Sequence, residues 1–115
     1  MRVLVAIEPR LYREAIGRAL RGLRSHLEVV VVEPEDLWAA VVRLDPELVF
    51  ADRPDNLPAA GRLAWVEFRP YEEPPAKICL GGRWHELEEV ELSDLLSVVD
   101  ETEELVRMRR ELGNC

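Results

Sequence analysis

Apolar residues along the chain fall into short unbroken runs and staggered stripes, separated by clusters of proline, glycine and acid. Arg2 to Ile7 is one unbroken run with β-branched members, as expected of a strand covered on both faces. From Arg10 to Arg24 the apolar positions are Leu11, Ile16, Ala19, Leu20 and Leu23, the last four at spacings of three and four, which predicts a helix. Leu27 to Glu33, with four consecutive valines, is the most β-prone stretch and predicts a second strand. Pro34, Glu35 and Asp36 then open a short helix through Leu37, Trp38, Val41, Val42 and Leu44, with proline and acids suited to its first turn. Asp45-Pro46 ends it, and Leu48 to Ala51 predicts a third buried strand.

A β-α-β-α-β opening calls for a parallel sheet with right-handed crossovers. After Asp52 the pattern changes. Residues 52–62 carry Pro54, Asn56, Pro58 and Gly61 and have room for a helical turn or two at most. Leu63 to Phe68 predicts a fourth strand, and Arg69 to Ala76, with three prolines, a short loop. Parallel neighbours need a crossover of about a dozen residues or more. Two alternatives follow: one connection is a bare loop, or the fourth and fifth strands pair antiparallel. Ile78 to Leu80, the pair Gly81-Gly82 and then Arg83 to His85 predict a strand and tight turn in a small hairpin. Ser93 as N-cap and Gly113-Asn114 as the stop bound a long last helix.

Composition narrows the function classes. With 115 residues, 48% hydrophobic and 33% charged, a single domain spanning residues 1–115 is expected. The formal net charge of −8 argues against nucleic acid and against an anionic membrane surface as partners. The first apolar run is too short for a signal peptide and no later run spans a bilayer, so a cytoplasmic location is expected. Cys79 and Cys115 form no CxxC pair and are expected to be plain thiols in a reducing compartment.

Two segments carry a family resemblance. Val3 to Glu14 reads V-L-V-A-I-E-P-R-L-Y-R-E, and Asp45 to Asp52 reads D-P-E-L-V-F-A-D. These resemble the receiver domains of bacterial response regulators, which commonly open V-L-V-A-D-D-H-P-L-x-R-E and carry D-P-D-L-V-L-L-D on the third strand. The likeness covers the first half of the chain well and the second half only as a coarse order of elements. It implies an α/β three-layer sandwich with a flavodoxin-like sheet in the order 2-1-3-4-5, here with a shortened second half and a long C-terminal helix.

The resemblance also implies a site, and this chain departs from it. Receivers place an acidic pair at the end of the first strand, which with the acceptor aspartate holds Mg2+ through oxygen ligands. Here the first acid is replaced by Ile7, and the second position holds Glu8. Asp52 fills the phosphoacceptor position, and the carbonyl that joins the metal shell would belong to Pro54. The hydroxyl residue expected at the end of the fourth strand is missing; Glu67 and Arg69 could set a salt bridge there instead. Lys77, the only lysine, stands at the start of its strand, where the family's lysine stands at the end.

The expectation is therefore a non-catalytic signalling or regulatory interaction module, a degenerate receiver that is not an enzyme. Glu8 and Asp52 are either ordinary polar loop residues or a weak Mg2+ site, and no other cofactor is expected. One rival is a working two-component receiver phosphorylated at Asp52 with Mg2+. Another is a small flavodoxin-like ligand binder using the crevice at the strand ends. His26 and His85 read as solvated loop residues, and Gly81-Gly82 as a turn. Trp38, Trp65 and Trp84 read as core or rim packing, with Trp84 the best candidate for a partner contact. Glu86, Glu88, Glu89 and Glu91 read as one solvated face. The expected partner is a protein, including a second copy. Val98, Leu105 and Leu112 recur every seven residues on the last helix and form a stripe able to support a homodimer.

Overall fold

The computed structural model describes residues 1–52 and 62–108. Its elements are β1 (Arg2–Ala6), α1 (Arg10–Leu23), β2 (Glu28–Val31), a 3-10 turn (Pro34–Asp36), α2 (Leu37–Leu44), β3 (Leu48–Ala51), β4 (Ala64–Phe68), β5 (Ala76–Leu80), β6 (Arg83–Leu87) and α3 (Leu92–Met108). One six-stranded sheet runs β2-β1-β3-β4-β5-β6. β2, β1, β3 and β4 are parallel, whereas β4·β5 and β5·β6 are antiparallel. Of the two alternatives for the second half, the antiparallel one is present. The second arm of the expected hairpin joins the sheet as a sixth strand, beyond the expected order 2-1-3-4-5, because Gly81 (φ 58°) and Gly82 (φ 89°) supply the left-handed turn that folds the chain straight back.

Strand alternation explains why the strands read as continuous apolar runs. Val3, Val5 and Ile7 face one layer, where Ile16 and Leu20 of α1 meet Leu95, Val98 and Val99 of α3. Leu4, Ala6, Val49, Ala51, Trp65 and Cys79 face the other, beneath Leu37, Ala40 and Val41 of α2. With helices on both faces, every position of β3 and β4 is buried. α1 lies close to the sheet at Gly17, where an added Cβ would sit 2.6 Å from Val31 Cγ2. α2 stops at Asp45, which takes the left-handed conformation at φ 47° that Asp tolerates before Pro46 ends the run.

Four expectations change. α3 starts at Leu92, so Ser93 lies inside the helix and does not cap it: the Asp94 carboxylate accepts from the Glu91 N–H at 2.8 Å, and the Asp94 N–H donates to the Glu91 carbonyl. Val98 belongs to the core at 4% exposure, because α3 turns it toward the sheet beside Val99; this removes it from any surface stripe. Leu105 is half-buried, and Leu112 lies outside the described residues, as do Pro54 and most of the 52–62 connection. Cys79 is disulfide-bonded, so the plain-thiol expectation does not hold for it. Among the described residues no helix is long and apolar enough to cross a membrane.

Candidate functional site

The C-terminal ends of β1, β3 and β4 meet at one edge of the sheet, since Ala6 is in register with Ala51 and Ala51 with Glu67. The residues that follow these strands are polar because the apolar layers end there. Glu8 and Asp52 do come together: the Glu8 N–H donates to Asp52 Oδ2 at 3.3 Å. Ile7, which precedes Glu8, is fully buried and contributes to the α1/α3 layer.

Two arginines organise the edge. Arg13, from the first turns of α1, is 7% exposed, and its Nη1 donates to the Ile7 carbonyl and to Glu8 Oε1, both at 3.3 Å. Arg69, directly after β4, spreads its fork over three acceptors. Nε donates to the Asp52 carbonyl at 2.8 Å, Nη2 to Glu67 Oε1 at 2.7 Å and Nη1 to Glu72 Oε2 at 3.0 Å. Glu67 is only 5% exposed, so its charge depends on this charge-assisted pairing. The salt bridge expected between Glu67 and Arg69 is thus present. The two lie two residues apart on extended chain, which is the signal in the sequence; Glu72 follows Arg69 by three residues, and Arg13 makes its own pair with Glu8.

Beside these groups lies an open cleft of about 340 Å³ lined by Glu8, Asp52, Arg69, Pro70, Tyr71 and Glu72. Tyr12 stands next to it, with ring centroids 6.0 Å from Phe68 and 6.2 Å from Tyr71. A hydrogen bond with Tyr71 holds the Tyr12 phenol above its ordinary pKa. Next to the end of β2, Glu33 shares a hydrogen bond with Glu35, which raises its carboxyl pKa.

The antiparallel β5 also changes the place of Lys77. A strand that runs backwards starts where its neighbour ends, and Lys77 is directly opposite Glu67. Lys77 therefore reaches the same edge as Asp52, although it opens its strand. Its side chain is exposed. The site is an acid edge with permanent cations built into it: guanidinium groups stay charged at all accessible pH values and cannot leave. Among the described residues no group of three or more His, Cys, Asp or Glu is placed to hold a metal ion.

The remaining candidates separate by exposure. Trp65 is core, whereas Trp38 and Trp84 are 55% and 49% exposed. His26 joins Glu103 of α3 at 2.8 Å, which ties the loop after α1 to the last helix. No family model matches the chain, and neither a curated protein nor a solved structure matches it.

Proposed function

We propose that the chain is a non-catalytic regulatory module: a receiver-like scaffold that works through protein contacts, its phosphoryl switch replaced by an internal ion-pair cluster. The observation that carries this reading is the Arg69 fork. Its guanidinium spans the Asp52 carbonyl, Glu67 and Glu72, so the cation at this edge belongs to the chain itself. The parallel order β2-β1-β3-β4, with Glu8 and Asp52 at neighbouring strand ends, supports the receiver-like part. In this reading the sheet is the flavodoxin-like order with its last crossover replaced by the β4–β5–β6 meander.

The chemistry agrees. An aspartyl phosphate adds charge to the acceptor, and a receiver offsets that with a divalent cation, a hydroxyl and a lysine. Here Ile7 removes one metal ligand, and Glu67 brings a second carboxylate close by. Incubation with acetyl phosphate and Mg2+, followed by intact mass measurement, tests the reading. The expected mass is unchanged. A gain of one phosphoryl group, lost in Asp52→Asn, overturns it in favour of a working receiver.

Self-association through α3 draws support only from its far end, where Leu105 is half-buried and Val106 and Met108 are exposed. Light scattering of the wild type and Leu105→Glu tests that part: twice the monomer mass, returning to monomer in the variant, is expected.

A further inference from the structure

The two outer edges of the sheet differ in what their backbone offers. On β2, the Glu28 and Val32 N–H groups face β1, bonding to Met1 and Val5. Parallel alternation then turns Val29 and Val31 outward; the Val29 carbonyl is already taken by Arg21 Nη2 at 3.0 Å, and both residues are buried or half-buried. β6 is the opposite case. Gly81 N–H bonds to the Leu63 carbonyl and Arg69 N–H to the Pro75 carbonyl, at 2.8 and 2.7 Å, just beyond the two ends of β4·β5. These bonds set the phase of the ladder, making Trp65–Cys79 and Glu67–Lys77 its hydrogen-bonded pairs. Cys79 and Lys77 thus face β4, and Leu80, Ile78 and Ala76 face β6. Their partners Arg83, His85 and Leu87 turn inward, which leaves the N–H and C=O of Trp84 and Glu86 pointing off the sheet. All four residues from Arg83 to Glu86 are exposed, so among the described residues nothing covers this edge.

We propose that β6 is a docking edge for an extended basic segment of a partner protein, which adds to the sheet as a seventh strand. Trp84 and Glu86 supply two outward donors and two outward acceptors, the main-chain part of strand addition. Charge selects the occupant. An open groove of about 600 Å³ runs beside the end of β6, lined by Glu73, Pro74, Pro75, Glu86, Glu88 and Glu89. Among the described residues its four carboxylates face no cation in the lining, and Lys77, opposite Glu86 in the register, offsets one of them. Trp84 and Glu86 share the α2 face, since their register partners Cys79 and Lys77 alternate with Ile78. A segment with Lys or Arg at every second position would lay one cation over the half-exposed Trp84 ring and the next beside Glu86. A second copy of this chain would instead bring its own Glu86, Glu88 and Glu89 to the same edge, where like charges repel. The proposal deepens the reading of the chain as an interaction module and rests on that alone; phosphoryl uptake at Asp52 is decided by a separate measurement.

Fluorescence anisotropy with a labelled Lys-Val-Lys-Val-Lys-Val-Lys peptide and its Glu-for-Lys counterpart tests it. The basic peptide should bind saturably and more weakly as salt rises, and the acidic one should not bind. Glu86→Pro deletes an outward N–H and leaves the inward bonds of Arg83, His85 and Leu87, so affinity should drop about tenfold or more. N-methylating alternate residues of the peptide gives the same loss without touching the protein's fold. Reversing charge with Glu88→Lys and Glu89→Lys should also weaken binding. Equal binding of both peptides, no saturation, or full affinity for the N-methylated peptide would overturn strand addition. A dimer that Glu86→Pro converts to monomer would assign the edge to a second copy instead.

Discussion

β1, β3 and β4 expose only Arg2 among all their residues, whereas β6 shows four of its five to solvent. The difference comes from how each strand is reached. Parallel neighbours need crossovers, and in this chain two of the crossovers are helices that cover opposite faces of the sheet. Antiparallel neighbours need no crossover: a loop returns β5 and the Gly81-Gly82 turn returns β6, which among the described residues gains no cover. The parallel strands β1, β3 and β4 are therefore buried almost throughout and end in the Arg69 cluster; β5 is still largely buried, and β6 extends the sheet as an exposed edge.

The comparison makes its strongest claim about stability. Phe50→Ala, at a fully buried position in the middle of the sheet, should cost about 3–5 kcal/mol in urea unfolding. Trp84→Ala, an even larger truncation, should cost less than about 1 kcal/mol because half the ring is already in water. Comparable losses would show that β6 is part of the core. Arg69→Ala comes next, since it strands the buried Glu67 carboxylate. The loss should be about 2–3 kcal/mol, less than for a fully buried pair because Arg69 is partly exposed, and Glu67→Gln in the same background should recover part of it. Gly17→Ala should cost about 1–2 kcal/mol through its clash with Val31, despite the better helix propensity of alanine. Val31→Ala in that background should relieve the clash.

The parallel half was the legible half. Its strands are unbroken apolar runs, and each is separated by a proline or an acid from a stripe with helical spacing; Leu48 to Ala51 and Leu4 to Ala6 need no tertiary information to be placed. The direction of β5 was not legible, because Arg69 to Ala76 is a loop whose length allows a reversal without announcing one. That direction decided where Lys77 stands. Glu8 and Asp52 could be placed on one edge from the strand pattern, but the bond from Arg69 to the Asp52 carbonyl depends on how the strands pack. The heptad of Val98, Leu105 and Leu112 was a true spacing with the wrong consequence: Val98 spends its apolar surface on the sheet.

The smallest effect concerns the tie between the helices. Arg24 of the α1 C-cap holds Asp100 of α3 through Nε and Nη2, each at 2.9 Å. This hydrogen bond holds the Asp100 carboxyl below its ordinary value of 3.8. A lowered folded pKa stabilises above the unfolded value and is lost as pH falls through the folded one. Asp100→Asn should therefore be slightly less stable than the wild type at neutral pH, and the gap should close below about pH 4. Thermal melts across that range check it; a gap that widens in acid would reverse the sign.

The account turns on whether the acid edge at the ends of β1, β3 and β4 is filled by the chain's own guanidinium groups. An Mg2+ titration followed by 15N NMR at the Glu8 and Asp52 amides asks this directly. The expected result is no saturable shift at either amide. A saturable shift confined to those two would show an open cation site there, and would contradict the closed cluster on which the regulatory reading rests.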